Sequence, residues 1–206
     1  MKIITVSREF GSGGREVGKR LADELGIAYY DREIITKIAE NSSLDEQYIE
    51  NVLNRGIVRD FPITFSHSFA IIPTFKSNVS TLLAEQNKVI RSLAEGGDCV
   101  IVGRNADTIL AEMNPFKLFI YADMDSKVKR CRERASEDEK LTDRELIKKI
   151  RQIDKARAET HDIIAATSWG AKEGYHLCVN TTGIEIKQII PQIAAYSEHW
   201  FEQNHI

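Results

Sequence analysis

The sequence predicts an α/β fold, a parallel β-sheet flanked by helices, on three observations. Short apolar, β-branched runs alternate with longer segments whose apolar residues recur at helical spacing. A glycine cluster, Gly11-Ser12-Gly13-Gly14, separates the first such run from the first helical segment. Functional-looking residues stand just past the ends of the runs, at Asp31, Gly103-Arg104 and Asp123, which is where open parallel sheets bind ligands.

The elements follow in order. Ile3 to Ser7 reads as a strand, and Arg15 to Leu25, with Val17, Leu21, Ala22 and Leu25 on one face, as a helix stopped by Gly26. Ile27 to Tyr30 reads as a second strand ending at Asp31, and a helix follows from Arg32 to about Glu40. Residues 41–76 hold Pro62, Pro73 and the aromatic series Phe61, Phe65, Phe69 and Phe75. They read as a partly helical insertion whose aromatics pack locally or over a ligand, with His67 incidental. Ser77 to Ala94 is helical, Gly96-Gly97 ends it, and Cys99 to Val102 is a buried strand. Leu118 to Tyr121 is another, leading to a basic helix near Ser126 that Asp123 is placed to cap. Thr142-x-x-Glu145 is a capping box that fixes the register of the next helix. His176 to Val179 is strand-like, and a last helix is expected from Ile184 to about Trp200.

Length fits one such core with mobile appendages, so a single domain over residues 1–206 is expected. Apolar residues at 42% and charged ones at 29% exclude a disordered chain. A net charge of −3, from 28 Lys+Arg against 31 Asp+Glu, gives no global pull toward nucleic acid or an anionic membrane. Any phosphate site must be local. Three scattered cysteines, Cys99, Cys131 and Cys178, offer neither a disulfide framework nor a zinc site. With no signal-peptide pattern and no apolar run near the ~20 residues of a membrane span, a cytoplasmic location is expected. The oligomeric state is not encoded in any readable pattern.

A glycine loop between a strand and a helix gathers backbone N–H groups and the positive end of a helix dipole, an arrangement suited to phosphate. Glycines there also serve tight turns, so the loop alone leaves both uses open. The usual phosphate loop is G-x-x-x-x-G-K-[ST]. Here Arg8 stands at the first glycine, Gly14 at the lysine and Arg15 at the hydroxyl. Arg8 and Arg15 offer compensating charge, or are surface arginines at a helix start, and Ser12 offers a hydroxyl. A side chain at Gly13 is expected to fill the phosphate's space and leave the fold intact.

The run Ile4-Thr5-Val6-Ser7-Arg8-Glu9-Phe10-Gly11-Ser12-Gly13-Gly14-Arg15-Glu16, with Tyr30-Asp31, Val102-Gly103-Arg104 and Asp154-x-x-Arg157, resembles the cytidylate-kinase-like family over nearly the whole chain. The resemblance implies a P-loop NTPase-type sheet with a helical acceptor-binding insertion (41–76) and a lid with its following helix (about 126–160). It implies ATP as phosphoryl donor, Mg2+, and a nucleoside monophosphate such as CMP as acceptor. Arg8, Gly11, Ser12, Gly13, Gly14 and Arg15 would bind nucleotide phosphates; Arg130, Arg134 and Arg15 would act on the transferring group; Asp31, Arg104, Asp154 and Arg157 would hold the acceptor. No residue is assigned as a metal ligand. Because the loop lysine is missing, a nucleotide-binding regulator without turnover and a kinase for another small molecule are the alternatives.

The residues carry their own readings beside this one. Asp31 suits an acceptor-site carboxylate or a helix N-cap. Arg104 would emerge from the sheet edge with a fork matched to phosphate. Lys127 to Arg134 places five basic side chains in eight residues, with Arg130 and Arg134 on one helical face, either a clamp or a solvated surface. On the 142–161 helix, Leu146, Ile147, Ile150 and Ile153 define an inward face that Asp154, Arg157 and His161 continue, while Arg151 lies at its margin. Inward charge must be paired or line a cleft.

Overall fold

The computed structural model describes residues 1–42, 44–46, 49, 73–135 and 141–204, with the backbone alone at 73–80. Five strands form one parallel sheet: β1 (Ile3–Arg8), β2 (Ala28–Tyr30), β3 (Cys99–Val102), β4 (Phe116–Tyr121) and β5 (Leu177–Asn180), in the order β2-β3-β1-β4-β5. Among the described residues the helices are α1 (Gly14–Leu25), α2 (Glu33–Ser42), α3 (Pro73–Glu95), the short α4 (Ala106–Ile109), α5 (Met124–Arg134), α6 (Asp143–Asp162) and α7 (Ile190–Gln203). The predicted α/β architecture is the observed one.

A strand turns alternate side chains to opposite faces, and β1 at the sheet centre must therefore serve two cores. Ile3 packs on one side with Ile34 and Ile38 of α2 and Leu82 and Ile90 of α3. Ile4 and Val6 pack on the other with Val17 and Leu21 of α1 and Ile190, Ile193 and Phe201 of α7. Arg8 shares the face of Ile4 and Val6, so its side chain leaves the sheet on the α1 side. With helices on both faces, the strands are continuous apolar runs rather than alternating ones.

Element ends differ from the sequence reading in places with local causes. The C-terminal helix begins at Ile190 rather than Ile184, after a 3-10 turn at Ile186–Gln188. Pro191, which cannot donate a backbone bond, sits in its first turn, where none is needed. Asp123 caps α5, accepting from the Ser126 N–H at 2.7 Å, and the Thr142/Glu145 capping box opens α6. Most of the 41–76 insertion, including Phe61, Phe65, Phe69 and His67, lies outside the described residues.

Candidate functional site

The glycine loop joins β1 to α1 at the carboxyl edge of the sheet. Gly11 and Gly13 have φ of 78° and 86°, a left-handed backbone that costs an L side chain about 1–2 kcal/mol. The first N–H groups of a helix have no partner within it. Among the described residues those of Gly14, Arg15 and Glu16 meet no other acceptor either. Unpartnered N–H groups at a helix start suit an anion. A Cβ at Gly13 would lie 2.8 Å from Ile186 Cδ1. With its left-handed φ and Ile186 against it, position 13 is constrained by the backbone turn and by packing.

The loop is fastened from below. The Phe10 N–H donates to Asp154 Oδ1 at 2.6 Å, and Lys127 Nζ bridges Asp154 Oδ2 at 3.2 Å and Glu9 Oε2 at 2.6 Å. Lys127 is 5% exposed. Burial raises the Asp154 pKa, against the Phe10 N–H and the Lys127 and Arg157 charges, which lower it. Ser12 is fully buried; its hydroxyl donates to the Glu9 carbonyl at 2.8 Å, and its own carbonyl accepts from the Thr181 hydroxyl at 2.7 Å. The Ser12 hydroxyl is thus engaged within the loop.

Above the loop, arginines converge. Arg8 feels Arg157, Arg104 and Arg15 together with Asp31, and burial followed by those positive neighbours pushes its pKa well down. Arg157, with a side chain 25% exposed, donates to the Arg8 carbonyl at 2.9 Å and lies 3.6 Å from Asp154 Oδ1. Burial pushes it down to about 10. Arg15 Nε meets Asp31 Oδ2 at 2.5 Å. Asp31 does not serve as the N-cap of α2. Instead, the Glu33 carboxylate reaches back to the Asp31 N–H at 3.0 Å. Arg104 and Asn105 both hold left-handed φ, 59° and 56°, just after β3. Such conformations cost of order 1–3 kcal/mol each and collect at functional sites. The Gln86 amide of α3 steadies this turn by donating to the Arg104 carbonyl at 3.2 Å.

A cavity of about 260 Å³ opens beside the loop, lined by Arg8, Gly13, Arg15, Arg130, Arg134 and Arg157 among others. The two predicted clamp arginines differ in what they hold. Arg130 donates to the carbonyls of Thr181, Ile184 and Ser12, whereas Arg134 pairs with Glu16 on α1 at 2.5 Å. Both therefore tie α5 to the loop and α1 while edging the cavity.

Of the residues assigned from the sequence, Arg8, Gly11, Gly13, Gly14, Arg15, Arg130, Arg134 and Arg157 line the cavity, whereas Ser12, Asp31, Arg104 and Asp154 do not. Arg15 and Asp31, given to donor and acceptor respectively, form one ion pair. Asp154, given to the acceptor, is turned to the loop backbone, because α6 crosses beneath Phe10. Glu9, Lys127, Thr181 and Gln86 were missed. Only Lys127 left a signal, lying one turn before Cys131 on the α5 face that Gly11 packs against. On α6, Leu146, Ile150 and His161 are buried as the periodicity requires, Ile147 and Ile153 are partly buried, and Arg151, expected at the margin of that face, is exposed. His161 Nε2 lies 3.2 Å from Asp107 Oδ2, which also accepts from the Ser7 hydroxyl at 3.3 Å.

Comparison with known proteins agrees with this architecture. A cytidylate kinase from Thermosipho melanesiensis is 26% identical over 213 residues, covering 92% of this chain and 94% of its own. The solved structure of a protein from Eubacterium ventriosum superposes with a TM-score of 0.68 at 25% identity, covering 96% and 99% of the two chains. A shikimate kinase from Bacteroides thetaiotaomicron does so at 0.58 and 14% identity, covering 96% and 98%, a likeness of fold. The cytidylate kinase-like family profile matches residues 3–183, and the chain belongs to that family, with a P-loop kinase fold.

Proposed function

We propose that the protein is a nucleotide kinase that transfers the terminal phosphoryl group of ATP to a nucleoside monophosphate of the cytidylate type. The observation that carries this reading is the cavity beside the glycine loop, lined by Arg8, Arg15, Arg130, Arg134 and Arg157 together with Gly11, Gly13 and Gly14. A cavity edged by that many guanidinium groups and by a glycine loop favours a highly anionic ligand, and two phosphorylated molecules meeting end to end supply one.

The reaction asks little covalent chemistry of the chain. An acceptor phosphate oxygen donates an electron pair to the terminal phosphorus, and the bond to the bridging oxygen breaks with its pair leaving on ADP. The loop N–H groups and the α1 dipole would hold donor phosphates, and Arg104 and Arg157 would hold the acceptor. Asp31 would orient Arg15 between them. Alignment and charge neutralisation supply the rate.

Magnesium fits as a companion of ATP rather than as a resident of the chain. Among the described residues no three carboxylate, histidine or cysteine side chains gather as a metal site. Glu9, Asp31 and Asp154 each face a cation, and the Ser12 hydroxyl is turned to a carbonyl. No step is assigned to a protein-held metal.

One observation favours a second reading, a nucleotide-binding regulator without turnover: glycine at position 14 removes the lysine that ordinarily reaches the transferred group. Calorimetry with ATP and ADP, followed by a phosphoryl-transfer assay across nucleoside monophosphates, separates the two. Transfer to CMP supports the kinase, binding without transfer supports the regulator, and absence of nucleotide binding refutes both. Among the described residues no helix is long and apolar enough to cross a membrane.

A further inference from the structure

Two of the loop's three departures from the usual pattern, Arg8 and Gly14, are six residues apart in sequence and touch in space. A Cβ at Gly14 would overlap the Arg8 Cβ and crowd its Cγ at 2.8 Å, with Ile120 Cβ at 3.3 Å behind. The stem of a lysine at 14 and the stem of the arginine at 8 therefore claim the same volume. Further along, a Cβ at Gly103 would overlap the Arg8 guanidinium itself. Two glycines on different elements thus flank the path of one side chain, from the loop to the turn after β3.

The other cations near the loop are engaged elsewhere. Lys127 lies between Glu9 and Asp154, Arg15 meets Asp31, Arg134 meets Glu16, and Arg130 is bound to carbonyls. Among the described residues no carboxylate lies within ion-pair distance of the Arg8 guanidinium, although it lines the cavity. Its main-chain carbonyl is fixed by Arg157 at 2.9 Å, which sets the root of the side chain. Burial and three positive neighbours oppose its charge, and a phosphate dianion at the guanidinium would offset that opposition.

We infer that Arg8 performs the task of the absent loop lysine, binding the terminal phosphate of the nucleotide from the strand side, and that Gly14 is the steric counterpart that makes room for it. This rests on the nucleotide-binding reading above. It separates Arg8 from Arg15, which the sequence offered as an equal substitute. A guanidinium presents two parallel N–H donors in a fixed planar fork to the oxygens of one phosphate, a geometry an ammonium does not have.

The test titrates ATP, ADP and inorganic tripolyphosphate into the full-length protein and its variants by calorimetry, with circular dichroism and thermal melts on each. Arg8→Gln should weaken ATP and tripolyphosphate binding by roughly 10- to 100-fold, the range for a lost charged hydrogen-bond donor, with a smaller loss for ADP. Arg8→Lys should recover only part of it. Gly14→Lys should lower both the melting temperature and the affinity, whereas Arg8→Gly/Gly14→Lys should recover at least tenfold in ATP affinity over Gly14→Lys, and melt higher. Should Arg8→Gln not fold, Arg8→Lys and the double variant carry the test. Wild-type binding with undiminished affinity in Arg8→Gln, or a double variant no better than Gly14→Lys, overturns the assignment and leaves the nucleotide reading standing. A wild-type protein that binds none of the three probes overturns the nucleotide reading and this assignment with it.

Discussion

Replacing Arg157 by alanine separates ligand binding from helix stability. The side chain is three-quarters buried, donates to the Arg8 carbonyl at 2.9 Å, lies 3.6 Å from Asp154 and sits 5.7 Å from the Phe10 ring. Its loss removes one charged hydrogen bond to a main-chain carbonyl, so folding stability should fall by about 1.5–3 kcal/mol. An exposed i,i+3 ion pair alone would be worth only about 0.2–0.5 kcal/mol. If Arg157 also grips the acceptor phosphate, CMP affinity should fall by a further ~1.5–3 kcal/mol, more than tenfold. Urea unfolding and calorimetry with CMP read the two effects separately. Arg157→Lys should restore little, because an ammonium cannot make the fork. Arg151→Ala, on the exposed side of α6, is the control and should change neither. Equal losses in Arg157→Ala and Arg151→Ala, or an unaltered CMP affinity in Arg157→Ala, would refute the reasoning.

Three further outcomes are expected. Lys127→Met leaves Glu9 and Asp154 facing one another without their shared cation and should cost about 3 kcal/mol in chemical denaturation; a loss below 1 kcal/mol would mean that the loop does not depend on this bridge. Gly11→Ala combines a left-handed φ of 78° with a Cβ at 3.0 Å from both Cys131 Sγ and the Lys127 carbonyl, so about 2 kcal/mol or more should be lost on thermal unfolding. His161 is held above its ordinary pKa: burial opposes protonation, but the Asp107 hydrogen bond and charge, then those of Asp162, outweigh it. A raised folded-state value means that the protonated form favours the fold. Its stabilisation is complete below about pH 6.5, the unfolded value, and is lost as pH rises through the folded value. The stability gap between wild type and Asp107→Asn should therefore be wider at pH 6 than at pH 9, and a wider gap at pH 9 would contradict this ordering.

What the sequence made legible was set by short-range rules. The capping box at Thr142 and Glu145 fixed the phase of α6, and with it the burial of Ile150 and His161, because a helix repeats its faces at a known angle. Apolar continuity marked β1, β3 and β4 as strands. What stayed hidden depended on contacts between distant segments. Arg15 and Asp31 sit on different elements, and nothing local says that their charges meet. Lys127 was read within a basic run because a charge run is normally solvated; only the approach of Gly11 to α5 turns that residue inward, between two carboxylates. The same limit explains Arg8 and Gly14. Read one at a time, each breaks the expected phosphate loop, one by adding bulk where glycine belongs and the other by removing the lysine. Read in space, the two departures occupy one volume, so the presence of the arginine requires the absence of the lysine. A pattern defined by identity at each position registers two defects where the packing holds a single exchange of one cation for another.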